Sequence, residues 1–282
     1  MERPGQRLWL CHPVCRAKGI PCTVSGAASR RFHPPRGVDS RGRTGRDESE
    51  HCGADRSDCG IQSRTERDDK NIQTEAYLEQ VKRWPAAGRH ILAQFDAGTV
   101  VVYQAYRPAI GRFAAQEQRF GGEFSLNRMS WIKPNFLWMM YRSRWGTKEG
   151  QETTLAVRLR RKAFDEILQR AVHSSYVPEI YASPEDWKAR LADSPVRLQW
   201  DPDHDPRGGK QERRAIQLGL AGEVLRQYAN DWIVSIEDIS GFVAEQRAHT
   251  EPRAFANLVT PREEVYPINT PEIVKTIGID RQ

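Results

Sequence analysis

The sequence predicts an α+β domain, with helices and strands mixed along one folded unit. Three observations predict it: a β-branched and aromatic run from Thr99 to Tyr106, a strictly alternating run from Thr153 to Arg160, and helical apolar spacing after prolines at 108, 134 and 184. The folded unit is expected to start near Ile72 and run to about residue 247.

In chain order, Tyr77, Leu78, Val81 and Trp84 have helix-like spacing that Pro85 interrupts, and Ile91 and Leu92 form a second apolar group. The run Thr99 to Tyr106, bounded by Gly98 and Pro108, reads as a buried strand. Pro108 suits the first turn of a helix reaching about Gln118. Asn135 to Trp145 is apolar on nearly every side, which predicts a helix buried all round, stopped by Gly146. Residues 153–160 alternate as a half-exposed strand, and Phe164, Ile167, Leu168 and Ala171 return to helical spacing. Ser183 is a good N-cap for a helix begun by Pro184. Further strands are expected at Val196 to Trp200, Ala215 to Leu220 and Trp232 to Ile239, with a helix between Gly222 and Ala229. Beyond 248, prolines 252, 261, 267 and 271 with little periodicity predict a loosely structured tail over 248–282.

Composition divides the chain at residue 70. Residues 1–70 hold 14 Lys and Arg against 10 Asp and Glu, and the rest holds 29 against 27, so most of the net charge of +6 belongs to the first segment. A later region this near neutrality has no need to wrap a polyanion, and any nucleic-acid site in it must be local. All five cysteines (Cys11, Cys15, Cys22, Cys52, Cys59) also lie in the first segment. Their spacings lack the tight CxxC pair usual for zinc. Arg outnumbers Lys twelve to two there and no apolar period appears, so residues 1–70 are expected to be a disordered leader or a translated upstream stretch. No apolar run approaches the roughly 18 to 20 residues of a membrane span. Leu8 to Cys11 is too short for a secretory core of about 7 to 15 residues, so the expected location is the cytoplasm.

The densest candidate segment is RMSWIKPNFLWMMYRSRW, residues 128–145, with Trp131, Trp138 and Trp145 seven apart. Arg128, Lys133, Arg142 and Arg144 flank these rings, and cations beside aromatic rings suit the phosphates and base of a nucleotide. Helix core is the competing reading for the rings, and surface pairing for the cations. Gln104, in an otherwise apolar strand, needs hydrogen-bond partners, either protein or ligand. Arg214, Gln217 and Gly219 lie along another predicted strand. Glu237 is a possible catalytic carboxylate and Asp238 its neighbour or a helix cap. Asp201, Asp203, His204 and Asp205 crowd a strand end, where either a hard cation or a repeated Asp-Pro turn would account for them, and the turn is preferred. Phosphate-loop, dinucleotide, zincin and serine-hydrolase motifs are all missing from the sequence.

RMSWIKPNFLWMMYRSRWGTKEGQ, with VVYQAY, VRLQWDP and RAIQLGL, resembles the signature of the domain-of-unknown-function 4291 family over about Ile72 to Arg247. The family pattern nearer QWDPER differs here at Asp203 and His204. The resemblance implies a common domain that excludes the leader, and it specifies neither an activity nor a cofactor. Two function classes therefore stand. One is an enzyme acting on a nucleotide, NAD or RNA, with an ADP-ribosyltransferase-like fold as one option, and with Gln104, Arg128, Trp131, Lys133, Arg142, Arg214 and Gln217 on the ligand and Glu237 as base. The other is a non-catalytic interaction module whose tryptophans are core. The first requires the cations to gather around one concavity and the second scatters them.

Overall fold

The computed structural model describes residues 71–280. The leader and its cysteines lie outside the described residues. The chain opens with β1 (Thr74–Ala76), α1 (Tyr77–Val81) and two short strands, β2 (Gly88–Arg89) and β3 (Leu92–Ala93). The β-branched run forms β4 (Thr99–Tyr106), followed by α2 (Pro108–Glu117), β5 (Ser130–Ile132) and α3 (Phe136–Ser143). The alternating run is β6 (Thr153–Arg160), and α4 (Arg161–Gln169), β7 (Ala171–His173) and α5 (Pro184–Asp193) come next. A long hairpin, β8 (Val196–His204) and β9 (Lys210–Leu220), precedes α6 (Gly222–Asn230), β10 (Ile233–Asp238) and α7 (Ser240–Gln246). After two 3₁₀ turns come β11 (Val259–Pro261), β12 (Glu264–Val265) and α8 (Pro271–Ile277).

Two sheets matter for the site. The first is antiparallel in the order β10-β6-β4. Its alternate residues feed different cores: Val100, Val102, Leu155, Val157 and Leu159 enter one apolar cluster, and Val101, Tyr103 and Ala156 enter another with Phe136, Met140 and Val243. Both faces are thus covered, and β6 is buried from Thr153 to Leu159 rather than half-exposed as its alternation predicts. Period two reports the size and polarity of alternate residues and cannot report whether helices cover the second face. Arg158, on that second face, is accommodated by an ion pair to Asp96 at 3.3 Å and a bond to the Asn71 carbonyl at 3.2 Å.

The second sheet runs β2-β9-β8-β7, with β5 also pairing with β9. Long β9 receives β2 along Arg213–Arg214 and β5 along Leu218–Leu220. One bridge joins the two sheets: Tyr103 of β4 pairs with Lys133, just past β5.

The chain beyond 248 is more regular than its prolines suggest. β11 pairs with β1 and β12 with β3. Pro271 occupies the first turn of α8, whose Ile273 and Ile277 join the main core. Glu263, 1% exposed, accepts from the Phe136 amide at 2.6 Å and from Asn135 Nδ2 at 3.2 Å. A carboxyl group thus satisfies a backbone amide at the start of α3 that the helix itself leaves without a partner. Asn135 adds a cap, its Oδ1 accepting from the Trp138 amide at 2.6 Å. α3 is not buried all round: Tyr141 is 43% exposed and Arg142 is exposed.

Candidate functional site

Where the two sheets meet, a cavity of about 640 Å³ opens. The end of β4 supplies Gln104 to Arg107, the β5 strand and its exit supply Ser130, Trp131 and Lys133, α3 supplies Met139 and Arg142, and β9 supplies Gln217. The preceding loop adds Glu123, Phe124 and Arg128. Six residues singled out in the sequence, Gln104, Arg128, Trp131, Lys133, Arg142 and Gln217, therefore come together on one concave surface.

Lys133 is the chemical centre of this surface. Its side chain is 4% exposed, and among the described residues it makes no ion pair within 4.0 Å. Burial, then the positive charge of Arg142, lowers its pKa to about 7 against the pull of Asp201. Near neutral pH a large share of this amine is uncharged, which is the form that can accept a proton or attack an electrophile. The paired backbone bonds to Tyr103 fix its Cα at the seam of the sheets.

The floor beneath it is β9 and its neighbours. Gly219 is required there: a Cβ would stand 2.6 Å from Met129 Sδ and 3.0 Å from the Trp131 ring, so only glycine lets the half-buried indole lie close to the sheet. Gln217 donates to Asp201 at 2.7 Å and to Gln199 at 3.2 Å. Burial raises the Asp201 pKa, opposed by the Gln217 bond and by the charges of Lys133 and Arg214. Gln104 has its needs met by protein groups. Its amide nitrogen reaches Tyr106 Oη at 2.7 Å, Ser130 Oγ at 2.9 Å and the Trp131 carbonyl at 3.2 Å, and its oxygen accepts from Tyr228 at 2.6 Å. These bonds clamp β4 to β5 and α6 at the cavity wall.

The cavity's charge is mostly positive. Arg107 pairs with Glu123 at 2.6 Å, whereas Arg128, Lys133 and Arg142 have no ion-pair partner among the described residues. Arg214 and Glu237 do not line it. Arg214 is exposed on β9 outside the rim, and the Glu237 carboxylate on β10 accepts from the Ile72 amide at 3.0 Å. Glu237, expected as the base, thus stands away from this cavity, and the titratable amine that lines it is Lys133. Asp238 stands before α7, whose N-cap position is Ile239, and accepts from the Ser240 amide at 3.0 Å.

The acidic run on β8 does not converge. Asp203 is buried against Arg213 at 2.6 Å, Asp205 accepts from the Arg207 and Gly209 amides at 2.9 and 2.7 Å, and His204 stacks on Tyr141 with centroids 3.5 Å apart. Among the described residues no three His, Cys, Asp or Glu side chains group as metal ligands do. Of the three tryptophans in residues 128–145, Trp138 and Trp145 are buried and Trp131 lines this cavity.

Lining residues not singled out in the sequence include Tyr106, Ser130, Met139 and Gln151. Ser130 stood beside Trp131 in the dense segment and was legible by adjacency, whereas Gln151 arrives on a separate loop.

An α+β domain with a cationic cavity at the seam of two sheets is the class that fold and site define. Residues 90–266, more than half of the chain, match the model of the family described as Domain of unknown function (DUF4291), and the chain belongs to that family. The match extends past residue 247, in line with the pairing of β11 and β12 into the fold. No curated protein matches the chain. No helix among the described residues is long and apolar enough to cross a membrane.

Proposed function

We propose that the chain is an enzyme acting on a phosphate-bearing nucleotide held in the Lys133 cavity. The observation that carries this reading is Lys133 itself, a buried lysine without an ion-pair partner among the described residues, facing a cavity that Arg128 and Arg142 also line. A buried lysine with a depressed pKa is costly to a fold, and such groups concentrate at reactive sites. In this reading Arg128 and Arg142 bind phosphate oxygens, which guanidinium groups meet with paired hydrogen bonds. Trp131, held against Gly219, offers a ring face for a base. Lys133, as the free amine, takes the proton of the attacking group or is itself the nucleophile.

Partners in this class are a mononucleotide, NAD or a short RNA. Thermal shift of the full chain with each, beside matched nucleosides lacking phosphate, tests the reading. Stabilisation by the phosphate-bearing compounds alone is expected. Equal or absent response across the set would remove the reading's support.

A further inference from the structure

A second cavity, of about 510 Å³, adjoins the first across Arg142, which lines both. Its wall is assembled from the end of α3, the turn after it, the β8–β9 turn and the 3₁₀ turn following α7. It holds Arg142, Arg144, Lys148, Arg207 and Arg247 with Tyr141 and Trp145, and no carboxylate. Of these cations only Arg207 has an ion pair among the described residues, to exposed Glu251 at 3.6 Å. Lys148 shows how closely they crowd: its pKa is lowered by partial burial and by the charges of Arg142 and Arg144.

The turn carrying this cluster is held at a cost. Arg144 and Trp145 have φ of 52° and 54°, left-handed values that disfavour residues with a Cβ by roughly 1–2 kcal/mol each. Their amides are engaged by the carbonyls of Tyr141 and Met140 at 3.3 and 2.9 Å, so side chains rather than backbone N–H groups supply the positive field. A partly exposed aromatic ring accompanies the charge: Tyr141, 43% exposed, stacks on His204 and lies beside Gly208, where a Cβ would come within 3.2 Å. Cations that are mostly unpaired, beside a supported and partly exposed ring, match what single-stranded nucleic acid needs, charge along its backbone and an aromatic contact for a base.

We infer that the second cavity binds the backbone of a single-stranded nucleic acid whose terminal or flipped nucleotide occupies the Lys133 cavity, with Arg142 between successive phosphates. The inference rests on the nucleotide reading of the first cavity and narrows its substrate from a free nucleotide to a strand. An acidic protein segment would meet the charge but has no use for the Tyr141 platform.

Fluorescence anisotropy of the full chain tests this with four probes: a mononucleotide, single-stranded RNA and DNA octamers, and polyglutamate. The variant is R144Q/K148Q/R247Q, whose three positions lie outside the first cavity. The octamers should bind at least about tenfold more tightly than the mononucleotide. The variant should lose most of that advantage, keep its mononucleotide affinity, and show a salt slope smaller by about 2, from roughly 0.7 per lost phosphate contact. A lysine-for-arginine variant, R144K/R247K, should retain most octamer binding, which separates charge from folding damage. Octamers binding no better than the mononucleotide, or unaffected by the triple substitution, would overturn the strand inference and leave the nucleotide reading standing. Polyglutamate binding as tightly as the octamers would overturn the nucleic-acid assignment. Failure of the mononucleotide to bind at all would overturn the nucleotide reading and the strand inference with it.

Discussion

The amide of Tyr103 donates to the carbonyl of Lys133 at 2.7 Å, and the amide of Lys133 donates back to the carbonyl of Tyr103 at 3.2 Å. This single bridge joins the three-stranded sheet to the five-stranded one, and it fixes the backbone of the residue with the most perturbed amine in the cavity. Positioning a buried lysine from rigid strands rather than from a loop holds the amine where a ligand must meet it.

Lys133→Met should therefore stabilise the fold while abolishing its response to ligand. Met fills similar volume without desolvating a charge, and the gain expected is of order 1–3 kcal/mol. Chemical denaturation of the two proteins at pH 7 measures it. A loss of stability would mean that the lysine is a structural partner.

The same residue sets a pH dependence. Its folded pKa of about 7 lies below the value of about 10.4 usual for an unfolded lysine, so between these pH values the unfolded chain binds more protons. Lys133 then contributes stability that rises as pH increases from about 7 to 10.4 and levels off above. Subtracting the pH–stability profile of Lys133→Met from that of the parent isolates this slope. A flat difference would contradict the buried, depressed amine.

Gly219→Ala tests the floor. The added methyl would press on Met129 and the Trp131 ring, at an expected cost of about 1–3 kcal/mol and with displacement of the indole. Any ligand that stacks on Trp131 should lose affinity in this variant, and titration of the intrinsic fluorescence change on binding checks it.

Glu263→Ala tests the docking of the C-terminal segment. It leaves the Phe136 amide and Asn135 Nδ2 without their acceptor at the start of α3, and about 2–3 kcal/mol of destabilisation is expected. Burial raises the Glu263 pKa well above the carboxylate range, so the stability that its neutral form contributes is lost progressively as pH rises above the unfolded value of 4.5. Glu263→Gln keeps an acceptor for Phe136 and should cost less than the alanine at pH 7, by thermal denaturation.

These contacts mark what the sequence discloses and what it withholds. β4 was legible because Gly98 and Pro108 enclose a β-branched run, and the unpaired cations of the first cavity were legible because Arg128, Lys133 and Arg142 lie with Trp131 within one short string. Glu263 was not, since its partners stand more than a hundred residues earlier and its own neighbourhood is proline-rich. The second cavity was hidden for the same reason. Arg144, Lys148, Arg207 and Arg247 sit on three separated turns, each of which reads locally as ordinary solvated charge. Gln104 was correctly marked as a buried amide in need of partners, but only the fold shows that Tyr106, Ser130 and Tyr228 satisfy it.

Calorimetric titration of the full chain with ADP and with adenosine, repeated on Lys133→Met and Arg142→Gln, tests the nucleotide assignment most directly. The account predicts that ADP binds, that adenosine binds at least about tenfold more weakly, and that each substitution costs ADP about tenfold or more. Equal affinity for the two ligands, or ADP binding untouched by both substitutions, would contradict it.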